Sequence, residues 1–170
     1  TVLDGQEING TSGNDTLTGT VNGDHISGLG GSAQLHGGPG SDVLEGGTEG
    51  DNLYGEAGND LLDGGDGVDG LDGGKGNDIV LAGNGNDNVN LNSGSDTVDL
   101  GAGNDAVSLY DYDGMGDSIS TGTGSDTILL GYWYWRGAAS TNVVTDFTAG
   151  AGGDLINFDQ YSGEALFGWD

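Results

Sequence analysis

The chain has 170 residues with 39 glycines, one proline and no cysteine, and 28 aspartates and glutamates against two lysines or arginines give a formal charge of -26. That balance excludes the basic footprint of a nucleic-acid binder and any charge-driven attachment to an anionic membrane. Without cysteine there are neither disulfides nor zinc-thiolate sites, and so dense a polyanion stays expanded unless cations neutralise it.

No apolar run approaches the about 18 residues of a membrane span, and the opening TVLDGQEING lacks the charged-then-apolar character of a leader. The chain is therefore expected to be cut from a longer polypeptide. After this degenerate first row the text falls into rows of nine: GTSGNDTLT from Gly10, GTVNGDHIS from Gly19, GLGGSAQLH from Gly28, GGPGSDVLE from Gly37, GGTEGDNLY from Gly46 and GEAGNDLLD from Gly55. It continues with GGDGVDGLD from Gly64, GGKGNDIVL from Gly73, AGNGNDNVN from Ala82, LNSGSDTVD from Leu91 and LGAGNDAVS from Leu100. A longer row, LYDYDGMGDSIS from Leu109, carries three inserted residues, and TGTGSDTIL from Thr121 closes the series.

Every row holds an aliphatic residue at its eighth position, from Ile8 and Leu17 through Leu62 and Val80 to Ile119 and Ile128. One apolar residue between outward-facing neighbours reads as a very short strand, and the glycine-rich six residues before it read as a turn. Strand plus turn, repeated, predicts an all-β solenoid, a parallel β-roll in which two rows make one flattened coil of 18 residues. About seven such coils fill residues 1–129, with residues 130–170 as a separate capping segment.

The sixth position is aspartate in every row except those with Gln6 and Ala33. Calcium is a hard cation that takes about six to eight oxygens, and a turn rich in glycine can aim several carbonyls at one spot while a carboxylate closes it. Turns on one side recur every 18 residues, so each ion is expected between one aspartate and its counterpart one coil on. One side reads Asp24, Asp42, Asp60, Asp78, Asp96; the other reads Asp51, Asp69, Asp87, Asp105. Asp117 and Asp126 continue the two columns if the insertion leaves the turns stacked, and Asp15 opens the second opposite Ala33. The carbonyl ligands expected are those of Gly38, Gly40, Gly58, Gly65, Gly67, Gly74, Gly76, Gly83, Gly85 and Gly103.

These rows, GGxGxDxUx with U aliphatic, resemble the calcium-binding nonapeptides of the repeat-in-toxin family, the hemolysin-type repeats of secreted bacterial toxins, proteases, lipases and adhesins, over residues 10–129. The resemblance implies calcium as the cofactor, for which the aspartate pairs give about seven to ten ions, and a chain that leaves the cell unfolded through a type I secretion channel and folds outside. It also implies flanking domains of a larger polypeptide and a location outside the cell or on the bacterial surface.

Several positions depart from the pattern. Ala33 cannot ligate, and Asn22 and Glu49 replace the fourth-position glycine. His25 and His36 fall at outward strand positions and read as solvated side chains. The insertion gathers Asp111, Asp113 and Asp117; it resembles an EF-hand loop without the closing glutamate, so a bulge carrying one irregular calcium is expected. Beyond Leu130, VVTDFTAGAGGDLINF looks like the segment that follows the repeats in many family members, with Asp146 and Asp154 as ligands of a last ion. Val143, Val144, Phe147, Leu155, Ile156 and Phe158 are expected to pack the end.

Tyr132, Trp133, Tyr134, Trp135 and Arg136 form either part of that cap or a sugar-stacking platform. Val43, Leu61 and Ile79, with Leu81 beside them, form an apolar stripe on one outer face that suits a packing partner. No nucleophile stands beside a base, so the expected function is a non-enzymatic calcium-binding module of a secreted bacterial protein. The alternative is an adhesin module whose faces or aromatic cap bind glycan, ice or protein, although Asn52, Asn88 and Asn90 are too sparse for an ice-binding rank.

Overall fold

The computed structural model describes residues 5–110, 115–130, 142–149 and 152–158. Its strands are β1 (Glu7–Asn9), β2 (Thr16–Thr18), β3 (His25–Ser27), β4 (Gln34–Pro39), β5 (Val43–Gly47), β6 (Asn52–Ala57), β7 (Leu61–Asp66), β8 (Gly70–Asp72) and β9 (Ile79–Asn84). Then come β10 (Asn88–Leu91), β11 (Thr97–Asp99), β12 (Ala102–Gly103), β13 (Ala106–Leu109), β14 (Ser118–Ser120), β15 (Thr123–Gly124), β16 (Thr127–Leu130), β17 (Val143–Val144) and β18 (Leu155–Phe158). Successive rows alternate between two parallel sheets, in the orders β1-β3-β5-β7-β9-β11-β14-β17 and β2-β4-β6-β8-β10-β13-β16-β18. This is the parallel β-roll that the period requires.

Register follows the aliphatic column. Leu44 pairs with Leu62, Leu62 with Val80 and Val80 with Val98 in one sheet. In the other, Leu35, Leu53, Leu71, Val89, Val107 and Ile128 stand in line. From Ile26 to Ile128 every member of the column is buried, and each leucine so placed stabilises the fold by about 1.5–3 kcal/mol. A second buried column exists that the eighth-position rule does not describe. Ala82, Leu91, Leu100 and Leu109, at the first position of their rows, are 0–1% exposed, so the core widens where leucine or alanine replaces the first glycine.

The three-residue insertion does not disturb pairing, because Val98 still meets Ile119 and Val107 meets Ile128. β17 and β18 add one strand to each sheet, with Ile119 opposite Val144 and Ile128 opposite Ile156. Val144 and Phe147 pack on the core as expected. Val143 and Leu155 do not: they take the outward seventh position and stay 53% and 57% exposed, while Ile156 on the terminal strand remains 37% exposed. Phe158 belongs to β18, opposite Leu130. The outward stripe is real in geometry, since Val43, Leu61 and Ile79 are direct cross-strand partners. On the opposite face His36 stacks on Tyr54 with ring centroids 4.8 Å apart.

Candidate metal centres

Each sixth-position aspartate sits at the last turn residue before a strand. Its own carbonyl accepts the amide of the residue that begins the next strand in its sheet, as in Leu61 N–H to Asp42 and Asn88 N–H to Asp69, both 2.8 Å. This fixes the backbone and directs the carboxylates along the stack. Asp42 donates its amide to Oδ1 of Asp60 at 2.8 Å, Asp60 to Asp78 at 2.9 Å and Asp78 to Asp96 at 2.8 Å. On the other side Asp51 donates to Asp69 at 2.7 Å, and Asp69 to Asp87 and Asp87 to Asp105 at 2.8 Å. Both ladders run through the insertion, from Asp96 to Asp117 at 3.0 Å and from Asp105 to Asp126 at 2.8 Å. The structure thus stacks these aspartates one coil apart, each carboxylate bonded to the backbone amide of the aspartate before it.

The ladder uses only one oxygen of each carboxylate. Oδ2 of Asp42, Asp51, Asp60, Asp69, Asp78, Asp87, Asp105 and Asp126 is buried and accepts no hydrogen bond from the protein. A buried anionic acceptor without a donor costs at least about 1–3 kcal/mol. Burial accordingly pushes these acids upward: Asp60 to about 7, and Asp87 and Asp126 to about 6. Asp42, Asp51, Asp69, Asp78 and Asp105 shift the same way for the same first cause. The lone oxygen faces the start of its own turn; a Cβ on Gly37, Gly55 or Gly73 would stand 2.6 Å from Oδ2 of Asp42, Asp60 or Asp78.

The glycines do more than aim carbonyls. The carbonyl oxygen of Gly40 lies 1.3 Å from where a Cβ on Gly58 would stand, and that of Gly58 lies 1.6 Å from the same point on Gly76. Those of Gly67, Gly85 and Gly103 press in the same way on Gly85, Gly103 and Gly124, as Gly76 does on Gly94. At the second position the carbonyls of Gly65 and Gly83 approach Gly83 and Gly101, while Gly38 and Gly74 lie over the carbonyls of Thr20 and Glu56. Gly58 also has φ of 158° and Gly65 of 95°, so both backbone shape and coil-to-coil approach require glycine there. The result is a column of carbonyls inside each stack of turns, beside the aspartate ladder.

Among the described residues no three His, Asp or Glu side chains converge as a metal cluster. The donors available to an ion there are the ladder's carboxylate oxygens and the main-chain carbonyls beside them. An all-oxygen, anionic, desolvated donor set fits a hard cation such as calcium, and its unpartnered Oδ2 atoms mark where positive charge is lacking.

The ends of the stack are built differently. Oδ2 of Asp24 accepts the Thr20 amide at 2.5 Å and the Thr20 hydroxyl at 2.9 Å, and its Oδ1 accepts the Gln6 amide at 2.5 Å. Asp15 repeats this with the Thr11 amide at 2.7 Å and hydroxyl at 2.9 Å. At the other end Asp154 receives the amides of Asp126 and Thr148 at 3.1 and 2.8 Å and the Thr121 hydroxyl at 3.1 Å. Asp146 lies off the ladder and clamps the Thr121 and Gly122 amides at 2.7 and 3.0 Å. Burial raises Asp24, Asp146 and Asp154, but their donors outweigh it and hold all three below the ordinary aspartate value. Asn142 takes the place of an aspartate and accepts the Asp117 amide at 2.8 Å.

Ala33 is buried and still donates its amide to Asp51 at 2.6 Å, so the missing carboxylate breaks the ladder on its other side only. Glu49, with φ of 65°, accepts the Gly31 amide at 3.0 Å, whereas the Asn22 amide reaches the Thr20 hydroxyl at 3.2 Å. Two further non-glycine residues adopt positive φ, Leu29 and Glu56 at the second position, which composition alone did not single out. Also unforeseen is a fifth-position ladder: Asn59 accepts the Asn77 amide, Asn77 the Ser95 amide and Asn104 the Ser125 amide, at 2.8–2.9 Å. Its signal was the recurrence of Asn and Ser immediately before the aspartates. Asp113 and Tyr132, Trp133, Tyr134, Trp135 and Arg136 lie outside the described residues.

A parallel β-roll whose turns stack acidic ladders against carbonyl columns defines a class, the nonapeptide-repeat metal-binding solenoids. The pattern of the RTX calcium-binding nonapeptide repeat, in four copies, matches residues 9–44, 36–71 and 72–107. The chain belongs to this family. Among curated proteins none matches it.

Proposed function

We propose that the chain is a non-catalytic module of a longer secreted bacterial protein, exported unfolded and folded outside the cell by calcium. The observation that carries this reading is the buried Oδ2 left without a donor in turn after turn. In this reading Asp42, Asp60, Asp78 and Asp96 on one side, and Asp51, Asp69, Asp87, Asp105 and Asp126 on the other, hold ions together with carbonyls of Gly38, Gly40, Gly58, Gly65, Gly67, Gly74, Gly76, Gly83, Gly85 and Gly103. Bound calcium supplies positive charge to buried carboxylates and so removes the repulsion within each ladder.

The chain's own residues do the rest. The amide-to-Oδ1 rungs set the spacing of the coils, the glycines let carbonyls approach, and the aliphatic column keeps water from the strands. One aliphatic residue per row is a thin core for a chain of charge -26, so folding depends on the ions. Each ion present at about 100 times its dissociation constant adds about 2.7 kcal/mol. Extracellular calcium modules bind at about 10⁻⁴ to 10⁻³ M, a range far above cytosolic free calcium, so the fold forms only after export. Membership of a family found in secreted bacterial proteins supports that location.

Titrating the calcium-stripped chain with calcium from about 1 µM to 10 mM, with circular dichroism and scattering radius followed together, tests the reading. A cooperative collapse from coil to β, not reproduced by magnesium, is expected. A chain already compact without calcium would overturn it.

A further inference from the structure

The two kinds of turn differ at one backbone position. In the rows from Gly37, Gly46, Gly64 and Gly73 the second residue is a glycine with φ of 94–117°, and Oδ2 of the row's aspartate finds no donor. In the rows from Gly10 and Gly19 the second residue is threonine, which is not among the positive-φ residues, and both its N–H and its O–H reach Oδ2 of Asp15 or Asp24. Glu56 separates side chain from backbone. It is not glycine, yet with φ of 74° its row also leaves Oδ2 of Asp60 without a donor. The direction of the second-position amide, and not the presence of a side chain, decides whether the carboxylate is satisfied.

We infer that threonine at the second position closes a turn to calcium by supplying the donors an ion would replace, so that Thr20 and Thr11 make the N-terminal turns metal-independent. This inference rests on the calcium reading above. Two donors on Oδ2 and a third on Oδ1 leave the Asp24 carboxylate satisfied within the protein. A β-branched residue strongly disfavours positive φ, so threonine also holds the amide in the donating orientation. The same chemistry recurs at the far end, where the amide of Thr148 and the hydroxyl of Thr121 converge on Oδ2 of Asp154. Calcium-dependent coils are thus bounded by turns that protein donors close.

The test is the number of calcium ions retained per chain, measured by elemental analysis after equilibrium dialysis of the full chain against calcium chloride. Thr20→Gly restores a glycine turn and is expected to gain about one ion over the native chain. Glu56→Thr, which drives a second-position residue out of positive φ, is expected to lose about one ion. Native chain binding calcium with an unchanged count in Thr20→Gly overturns the inference and leaves the calcium reading intact. If Thr20→Gly does not fold in calcium, an unchanged count in Glu56→Thr overturns it equally. A native chain that retains no calcium overturns both.

Discussion

The turns around Asp60 and the turn around Asp24 carry the same residue at the same position and solve its burial in opposite ways. Asp60 accepts the Asp42 amide on one oxygen and leaves the other without a donor, and burial drives it up to about 7. Asp24 gives both oxygens to N–H and O–H groups, and those donors hold it below its ordinary value against the opposing effect of burial. The comparison shows that burial of the aspartate does not by itself decide whether its carboxylate finds donors within the protein. What matters is whether the turn's second residue aims its amide toward that carboxylate or away from it.

The largest effect that could break this comparison lies in the stacking of the middle coils. Gly85→Ala would place a methyl group 1.4 Å from the carbonyl oxygen of Gly67, and it should abolish folding of the coils around it even in saturating calcium. Gly13→Ala, in the N-terminal turns, meets nothing closer than 3.7 Å and should leave the circular dichroism spectrum unchanged. Equal tolerance of both would show that the carbonyl columns are not needed.

Next in size is the core. Leu62→Ala should cost about 2–5 kcal/mol in urea denaturation with calcium present, because the side chain is fully buried between neighbouring coils. Leu17→Ala, at the partly buried N-terminal end of the same column, should cost clearly less.

The pH response sharpens the contrast further, because its sign differs between the regions. Asp60, Asp87 and Asp126 have folded pKa values raised to about 7, 6 and 6, so their contribution to the calcium-free fold is complete below the ordinary aspartate value and is lost as pH rises through 6 to 7. Asp24 and Asp154 are lowered, so theirs is present above the ordinary value and lost as pH falls through the depressed one. In calcium-stripped buffer, acidification from about pH 8 to about pH 5 should therefore increase β structure by circular dichroism. A signal that stays flat or falls would contradict the desolvation of the middle carboxylates.

The smallest expected effect is at the outer face. His25 lies 3.2 Å from Glu7 and 3.3 Å from Glu45, across three coils, and although burial lowers its pKa the two carboxylates raise it overall. The pair is exposed, so His25→Gln should cost less than about 1 kcal/mol. That loss should appear in acid and vanish as pH rises through the histidine range, as read from urea midpoints.

Much of this was legible in the rows of nine. The aliphatic column and the aspartate column fixed the coil length, the sheet assignment and the register, because in a solenoid sequence spacing is spatial spacing. The ladder through the insertion followed too, since an extra loop of three residues need not disturb strands that still pair. What escaped was whatever depends on where backbone amides point. Nothing in the spacing singled out Thr11 and Thr20, yet they satisfy the carboxylates they accompany. Nor did spacing reveal the hydroxyl and amide donors that surround Asp146 and Asp154, which were expected as ligands of one further ion. Leu91, Leu100 and Leu109 did recur at regular spacing, but the glycine-first pattern drew attention from a second buried column.

The most direct measurement is anomalous X-ray diffraction from crystals grown in calcium, at a wavelength where calcium scatters anomalously. The account predicts peaks beside Oδ2 of Asp42, Asp51, Asp60, Asp69, Asp78, Asp87, Asp105 and Asp126, and none at Asp24 or Asp154. Peaks at Asp24 and Asp154, or bare carboxylates throughout the middle coils, would contradict it.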